Sequence, residues 1–230
     1  STKIALIEDF EEKMKKITET TVNLNVTSIS GVPSWYLVLI KYILKATGKQ
    51  NLHEVWPNLE VFFHGGISFT PYREQFRRIL PDPRMSYMET YNASEGFFAI
   101  QDDPSDSSML LMLDYGVYYE FIVAEEVNSG NPLTLSIGEV EKGVNYAVVI
   151  STDGGLWRYI IGDTITFTSL FPHKIRITGR TKHFINAFGE EVIIDNAEKA
   201  LESACSVTGA HILEYTAGPV FMTESAKGRH

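Results

Sequence analysis

Apolar residues recur every three or four positions at the beginning of the chain, with Lys and Glu between them. This spacing predicts an amphipathic surface helix over residues 3–20. The apolar positions are Ile4, Ile7, Phe10, Met14 and Ile17. A second helix is indicated by its end signals. Pro33 opens it, where a missing N–H costs nothing, and Gly48 closes it. Residues 34–47 are apolar on most sides, which is typical of a core helix.

The pattern then changes to a short apolar run, a glycine turn, a helix and another run. Residues 59–63 predict a buried strand, and the turn His64-Gly65-Gly66 follows it. A helix is predicted from Pro71 through Leu80, and a short strand over residues 85–90. This order is typical of a parallel sheet in an α/β fold.

After about residue 96, short β-type runs follow one another, separated by turns rich in Gly, Pro, Asn and Asp. Their spacing predicts a small antiparallel barrel or sheet. The runs cover residues 109–113, 117–123, 146–151, 164–168 and 174–178. A helix over residues 195–204 and strands over 210–215 and 220–222 come last. The predicted fold class is therefore α/β: a mixed sheet with helices, a small β-barrel-like lobe, and the beginning of an α+β unit. We expect lobes at residues 1–105, 106–179 and 180–230.

Composition narrows the possible functions. The 230 residues contain 20 Lys and Arg against 29 Asp and Glu, a formal charge of −9, which argues against a general nucleic-acid binder. A single cysteine excludes an intramolecular disulfide. No apolar stretch is long enough for a membrane span, and no signal peptide is recognised, so the cytoplasm is the expected location.

Four short segments carry polar residues at the ends of predicted elements. Residues 91–96 combine an aromatic ring, a hydroxyl and a carboxylate, which could serve a nucleotide and its Mg²⁺. In residues 157–163, an aspartate after a glycine could accept hydrogen bonds from a ribose diol. Residues 177–182, followed by 186–191, contain a predicted hinge at Gly179-Arg180 and the planar fork of an arginine.

The fourth segment, residues 62–66, contains the His-Gly-Gly turn. A serine hydrolase is rejected because no G-x-S-x-G sequence exists in the chain. The two glycines could instead let the backbone approach a flat ligand. Taken alone, the first segment is better explained as a solvated loop with Ser94 as a helix N-cap, and the second as a strand-entry turn with Arg158 exposed. The alternative for the third segment is a basic surface turn.

In this order and spacing, the segments resemble the adenylate-forming superfamily of acyl-activating enzymes and luciferases. The resemblance is strongest to the plant auxin-responsive acyl-acid amido synthetase family and its bacterial relatives, and it covers nearly the whole chain. The segments that carry it are Gly31-Val32-Pro33-Ser34-Trp35, Tyr91-Asn92-Ala93-Ser94-Glu95-Gly96, Leu156-Trp157-Arg158-Tyr159 to Gly162-Asp163, and Gly179-Arg180 with Phe188-Gly189-Glu190.

The resemblance implies which residues bind the cofactors, ATP and Mg²⁺. Tyr91 would stack on adenine, with Gly65 and Gly66 near the same ring. Ser94 would contact the phosphates, and Asp163 would hold the ribose hydroxyls.

It also implies the two catalytic residues, Glu95 and Arg180. Glu95 would be the metal ligand, and Arg180 would reach ribose or phosphate from the hinge, with Thr181 near the pivot. The superfamily more often has Gly at the position of Asn92 and Thr at that of Ser94, although Ser is usual in the amido synthetases. The hinge commonly carries Asp or Lys, unlike Thr181.

The implied activity has two steps: a carboxylic acid becomes an acyl-adenylate, and an amino acid then takes the acyl group. One alternative is a coenzyme A ligase of the phenylacetate type, and another is a non-catalytic nucleotide-binding module. The expected partners are a small carboxylic acid and an amino acid or coenzyme A. Neither nucleic acid nor a membrane is expected as a partner, and the sequence does not determine the oligomeric state. We expect the last part of the chain to be the start of a C-terminal lid. The family's phosphate loop and late lid lysine are not found in the sequence, so we expect this chain alone to be inactive.

Overall fold

A computed structural model describes residues 2–66, 68–181 and 194–216. Contacts between residues divide the chain into two units. Unit 1 contains Ser1–Met88 and Gly209–Glu214, and unit 2 contains Glu89–Thr208 and Tyr215–His230. Each unit has its own buried apolar cluster.

The predicted first helix is in fact two helices, α1 (Thr2–Ala5) and α2 (Phe10–Thr21). The prediction of one helix over residues 3–20 is therefore wrong at its centre. Asp9 has an extended backbone, and its carboxylate accepts the N–H of Glu12 at 2.7 Å, so it caps a new helix. Apolar spacing continues across the break, which is why periodicity did not indicate it.

A parallel strand pair and the helix between its strands form the centre of unit 1. Strand β1 (Ser28–Gly31) pairs in parallel with β2 (Val61–His64), and α3 (Pro33–Thr47) connects them. The structure confirms the predicted helix, including the left-handed Gly48 at its end, φ 68°. Strand β1 was not predicted, because only one of its four residues is a large apolar side chain.

The core of unit 1 is aromatic and aliphatic. The ring of Phe62 from β2 stacks on Phe76 with centroids 4.9 Å apart. Phe76 lies on α4 (Arg73–Ile79), which follows a short 3₁₀ turn over Thr70–Tyr72 and confirms the helix predicted there. Three side chains of α3 have no exposed surface: Leu37, Ile40 and Ile43.

The segment Gly209–Glu214 lies against the region of α4 without forming a strand. The Tyr72 hydroxyl donates to the carbonyl of Leu213 at 2.7 Å, and the Gln75 amide donates to that of Ile212 at 3.0 Å. The strand predicted over 210–215 is therefore wrong, since side chains and not a neighbouring strand satisfy these carbonyl groups. The strand predicted over 220–222 lies outside the described residues.

Unit 2 is built on antiparallel strands, the first of which begins before the unit boundary. The strands are β3 (Ser86–Ala93), β4 (Gly96–Gln101), β5 (Met109–Leu111), β6 (Val117–Val123), β7 (Leu135–Ser136), β8 (Asn145–Thr152), β9 (Tyr159–Leu170) and β10 (His173–Arg180). Their order in the sheet is β3-β4-β5-β10-β9-β8-β6-β7. The five predicted runs each overlap a strand, whereas β4 and the two-residue β7 were missed. Helix α5 (Ile194–Thr208) follows, and Gly209 ends it with φ 69°.

The unit 2 sheet curls around a single aromatic core. Phe98 of β4 and Tyr119 of β6 have ring centroids 6.4 Å apart, although four strands lie between β4 and β6 in the sheet order. Phe121 and Phe167 fill the interior, with centroids 5.1 Å apart. The predicted α/β class with a barrel-like lobe is confirmed. No helix within the described ranges has the length and apolar character that crossing a bilayer requires.

Replacing Gly48 by alanine is expected to lower the free energy of unfolding by about 1–2 kcal/mol, because the left-handed backbone there penalises any Cβ. The site is otherwise open, since no atom lies within 4 Å of an added Cβ. The control is Gly130→Ala, which is equally open but not left-handed. Denaturant unfolding measures both variants, and equal effects would contradict the assignment of the cost to backbone conformation.

Candidate functional site

Asp163 lies in a β-bulge of the longest strand in unit 2. Three residues of β9, Ile161–Asp163, stand opposite one residue of β8, and the ladder becomes regular again at Thr164. Gly162 has φ 93°, a conformation that favours glycine. Bulges are frequent beside functional sites because they re-aim a side chain out of the regular alternation. The glycine and the bulge together determine where the Asp163 carboxylate points.

Two donors hold the Asp163 carboxylate. The Tyr91 hydroxyl donates to Oδ2 at 2.8 Å, and the Nε of Arg180 lies 3.0 Å from Oδ1. The Asp163 side chain is 17% exposed and that of Arg180 is 49% exposed. An ionised carboxylate has about four acceptor positions, so two contacts leave capacity for hydroxyl donors of a ligand.

The contact between Tyr91 and Asp163 depends on the curl of the sheet. Tyr91 is on β3 and Asp163 on β9, with three strands between them in the sheet order. The Tyr91 ring is 5% exposed and packs against Phe98, with centroids 5.0 Å apart. Burial, and next the charge of Asp163, raise the pKa of the Tyr91 hydroxyl, which therefore remains a proton donor at neutral pH. Stacking of this ring on adenine stays a prediction and requires that binding expose one of its faces.

The end of β10 is tied to the bulge. Thr181 donates its N–H and its hydroxyl to the carbonyl of Gly162, at 2.7 and 3.3 Å. Arg180 stands opposite Asp163 in the ladder, and Gly179 stands opposite Thr164. The predicted hinge residues are thus the last paired residues of a strand. The segment 186–191, which we associated with them, lies outside the described residues.

Ser94 and Glu95 form the two-residue turn between β3 and β4. Strand β3 runs further than the predicted 85–90, so that Tyr91 lies within it and pairs opposite Ala99 of β4. Ser94 is exposed and Glu95 is half-buried. Glu95 also lines a surface cleft of about 290 Å³.

Glu95 can be the Mg²⁺ ligand that the resemblance implies, but it would supply only one carboxylate to the ion. Within residues 2–66, 68–181 and 194–216, no group of three His, Cys, Asp or Glu side chains could hold a metal ion. Magnesium commonly uses one or two carboxylates and completes its shell with water and substrate phosphates. The described residues therefore fit an ion that arrives with a nucleotide better than one bound by protein alone.

Arg158 is a structural residue that the sequence did not indicate. It has φ 46°, unusual for a residue other than glycine. Its side chain is 61% exposed, yet Nε pairs with Glu120 at 2.9 Å and Nη2 donates to the Thr134 hydroxyl at 2.7 Å. These contacts fix the chain just before β9 begins. The tetrapeptide around Arg158 contains no pattern that predicts this role.

Gly65 and Gly66 belong to unit 1, directly after β2. Gly66 has φ 81°, and Val32 lies 3.4 Å from the place of an added Cβ. Their approach to an adenine ring stays a prediction. The preceding His64 is 4% exposed and stacks on Phe69 with centroids 4.2 Å apart. Burial, and next the charge of Arg73, lower the pKa of His64 to about 4.

Comparison with known protein families gives two matches from one family. The GH3 family N-terminal domain matches residues 1–85, and the GH3 family central domain matches residues 110–180. This chain belongs to the GH3 family. The resemblance to the acyl-acid amido synthetases is thereby confirmed.

Curated GH3 relatives are longer than this chain. Indole-3-acetic acid-amido synthetase GH3.3 of Arabidopsis thaliana is 26% identical over 196 residues, which is 77% of this chain and 32% of the relative. Indole-3-acetic acid-amido synthetase GH3.8 of Oryza sativa subsp. indica is 29% identical over 178 residues, 70% of this chain and 29% of the relative. The chain thus spans about a third of the length of these relatives.

Solved structures of adenylate-forming enzymes share the fold. AtGH3.15 acyl acid amido synthetase in complex with 2,4-DB matches with a TM-score of 0.76 at 16% identity, covering 96% of this chain and 48% of that one. A 2-hydroxyisobutyryl-CoA ligase in the postadenylation state matches with a TM-score of 0.62 at 14% identity, covering 83% and 40%. The fold of this chain is therefore one that is known from this superfamily.

Tyr91→Phe is expected to lower the free energy of unfolding by about 1–2 kcal/mol, because it removes a hydrogen bond to a half-buried charge without leaving a large cavity. The matched control is Tyr118→Phe, whose side chain is 61% exposed and should change stability by less than about 0.5 kcal/mol. Chemical denaturation followed by circular dichroism measures both. A similar loss in the two variants would show that the contact with Asp163 contributes nothing.

Unit 1 is expected to lose stability as the pH falls from about 6.5 to about 4. An unfolded histidine takes up a proton near pH 6.5, whereas folded His64 resists it until about pH 4. The stabilisation is thus complete above pH 6.5 and is lost on acidification, in total about 3 kcal/mol. Unfolding at several pH values should show a shallower pH dependence for His64→Gln but not for His173→Gln. Parallel profiles for the wild type and His64→Gln would contradict this assignment.

Proposed function

We propose that the protein uses ATP to activate a carboxylic acid as an acyl-adenylate and transfers the acyl group to the amine of an amino acid. The observation that supports this most directly is the Asp163 carboxylate, presented by a bulge and held by Tyr91 and Arg180, in a chain of the GH3 family. Because the chain spans about a third of its curated relatives, the activity is proposed for the whole protein.

Asp163 binds the ribose of the nucleotide in this proposal. Its carboxylate is acceptor-only, so it suits the two hydroxyl donors of a ribose diol. Tyr91 keeps one oxygen oriented through a short hydrogen bond, and Gly162 gives the backbone its bulged geometry. The carboxylate therefore does not need to reorganise when the sugar arrives, which lowers the cost of binding.

Arg180 supplies positive charge beside this carboxylate. A guanidinium has five N–H donors, and the pair with Asp163 uses the one on Nε. The fork of Arg180, half-exposed, can contact a phosphate oxygen while the ion pair persists. Donors that are already in place where negative charge develops are a main source of catalysis in phosphoryl and acyl transfer.

The turn between β3 and β4 faces the phosphates in this arrangement. Ser94 offers a hydroxyl donor, and Glu95 would hold Mg²⁺, which when bound neutralises phosphate charge. Tyr91 would stack on the adenine ring. The two steps then conserve atoms: the acid's carboxylate displaces pyrophosphate from the α-phosphorus, and the neutral amine displaces AMP from the acyl carbon and releases one proton to solvent. Thr181 would lie near the pivot between the steps. A cytoplasmic location stays a prediction.

The first step is tested by acid-dependent exchange of pyrophosphate into ATP, with indole-3-acetate as the first acid because curated relatives are named for it. Asp163→Ala and Glu95→Ala are each expected to slow exchange by about 100-fold or more, because each removes a group that contacts the nucleotide or its ion. Glu125→Ala, an exposed carboxylate elsewhere in unit 2, is the matched control and should exchange normally.

The products of the reaction distinguish the proposed amide synthesis from the two alternatives, a coenzyme A ligase and a non-catalytic nucleotide-binding module. Formation of an amide when an amino acid is supplied supports it, whereas a thioester with coenzyme A and no amide indicates a coenzyme A ligase. ATP binding seen by calorimetry, without exchange for any acid in a broad screen, would establish a non-catalytic module instead.

A further inference from the structure

The first part of β9 stands in a displaced register against its neighbour β8. The ladder is regular up to the pair of Ala147 with Thr164, and continued without a break it would place Gly162 opposite Val149. In the structure, Ile160 stands opposite Val149. Three residues of β9 therefore face one residue of β8, so β9 contains two surplus residues. A displacement by two residues keeps each side chain on its own face, so the alternation of apolar and polar residues does not select between the two registers.

Arg158 ties the beginning of β9 to three other segments in this displaced register. Its backbone N–H donates to the Ser151 hydroxyl of β8 at 2.9 Å. Its Nε donates to the Glu120 carboxylate of β6 at 2.9 Å, and Nη2 donates to the Thr134 hydroxyl before β7 at 2.7 Å. Slippage of β9 by two residues would carry Arg158 about 7 Å along the ladder and break all three contacts.

The backbone of Arg158 indicates that these contacts have a specific role. Its φ of 46° lies in the left-handed region, which is costly for a residue with a Cβ. Such conformations persist where surrounding contacts over-determine them, and they cluster at functional sites. Glycine would remove this cost, but it would also remove both side-chain contacts.

We propose that Arg158 is a positioning residue for the nucleotide, because it fixes the register in which the bulge presents Asp163. The role rests on the proposed function, in which Asp163 binds the ribose. Thr181 secures the bulge from β10 through the carbonyl of Gly162, and Arg158 secures it from the beginning of β9. Without Arg158, the two surplus residues can move along the strand, and the carboxylate loses its fixed position.

A contribution to overall stability explains Arg158 less well. Its side chain is 61% exposed, and ion pairs at such exposure add little to the free energy of unfolding. The expected effect of losing it is therefore local. It should change how the ribose is bound and leave the acid unaffected.

Nucleotide selectivity tests the inference, because 2′,3′-dideoxy-ATP lacks the hydroxyls that Asp163 would bind. In acid-dependent pyrophosphate exchange by the whole protein, Arg158→Ala is expected to raise the KM for ATP roughly tenfold, because a hydrogen-bonded charge is misplaced. The KM values for the dideoxy nucleotide and for the acid should not change. Thr134→Val removes one partner hydroxyl and should raise the KM for ATP roughly threefold. The matched control is Arg176→Ala, a 52% exposed arginine of β10, which should behave as the wild type does.

Hydrogen exchange of the Thr181 amide tests the same inference on this chain without turnover. This amide donates to the carbonyl of Gly162 at 2.7 Å, so its protection reports on the bulge. We expect its exchange to become roughly tenfold faster in Arg158→Ala and to stay unchanged in Arg176→Ala.

Three outcomes overturn the inference. These are a wild-type KM for ATP in Arg158→Ala, an equal rise for ATP and the dideoxy nucleotide, and unchanged exchange of the Thr181 amide. A lower kcat with all KM values unchanged would indicate only a smaller folded fraction, and it falls under the first outcome.

Asp163→Ala separates this inference from the proposed function. It should abolish the preference for ATP over the dideoxy nucleotide, and adding Arg158→Ala should then raise the KM no further. If Asp163→Ala keeps the preference, the proposed ribose role is refuted, while the Thr181 amide still decides whether Arg158 fixes the bulge. If Asp163→Ala abolishes the preference and Arg158→Ala does not reduce it, only the positioning role is refuted.

Discussion

The curl of the unit 2 sheet around its aromatic core is the constraint on which the candidate site depends. In a flat sheet, Tyr91 on β3 and Asp163 on β9 would be separated by three strands, too far for a hydrogen bond. Packing of Phe98 against Tyr119 draws the two ends of the sheet together, and the 2.8 Å contact between hydroxyl and carboxylate becomes possible. The apolar core therefore does more than stabilise the unit, because it determines which polar groups meet.

Local backbone geometry then determines how the carboxylate is presented. The bulge at Ile161–Asp163 interrupts the regular alternation of β9, and contacts on both sides keep it in place. Arg158 anchors the chain before the strand through Glu120 and Thr134, and Thr181 binds the carbonyl of Gly162 from β10. A bulge held in this way keeps the positions of its polar groups before any ligand binds, which is the physical meaning of preorganisation.

Predictions succeeded where local signals agree with the tertiary environment. Helix α3 has a proline at its start, a left-handed glycine after its end and apolar residues between, and the structure confirms each of these features. The predictions failed where contacts with other parts of the chain determine the local structure. Strand β1 is short and polar and exists because β2 pairs with it, and residues 210–215 read as a strand but bond to side chains near α4. Asp9 interrupts a helix whose apolar period continues without change.

The sequence by itself determined the class of the protein and the chemical types of its candidate site. Four segments, which include Tyr91, Asp163 and Arg180, resemble the adenylate-forming superfamily in their order along the chain, and such a resemblance needs no coordinates because it depends on residue type and spacing. Only the tertiary structure decided that Tyr91 and Arg180 share one carboxylate, and that Arg158 holds the strand before it. These are contacts between residues far apart in sequence, and their distances depend on the curl and register of the sheet, which no local pattern records.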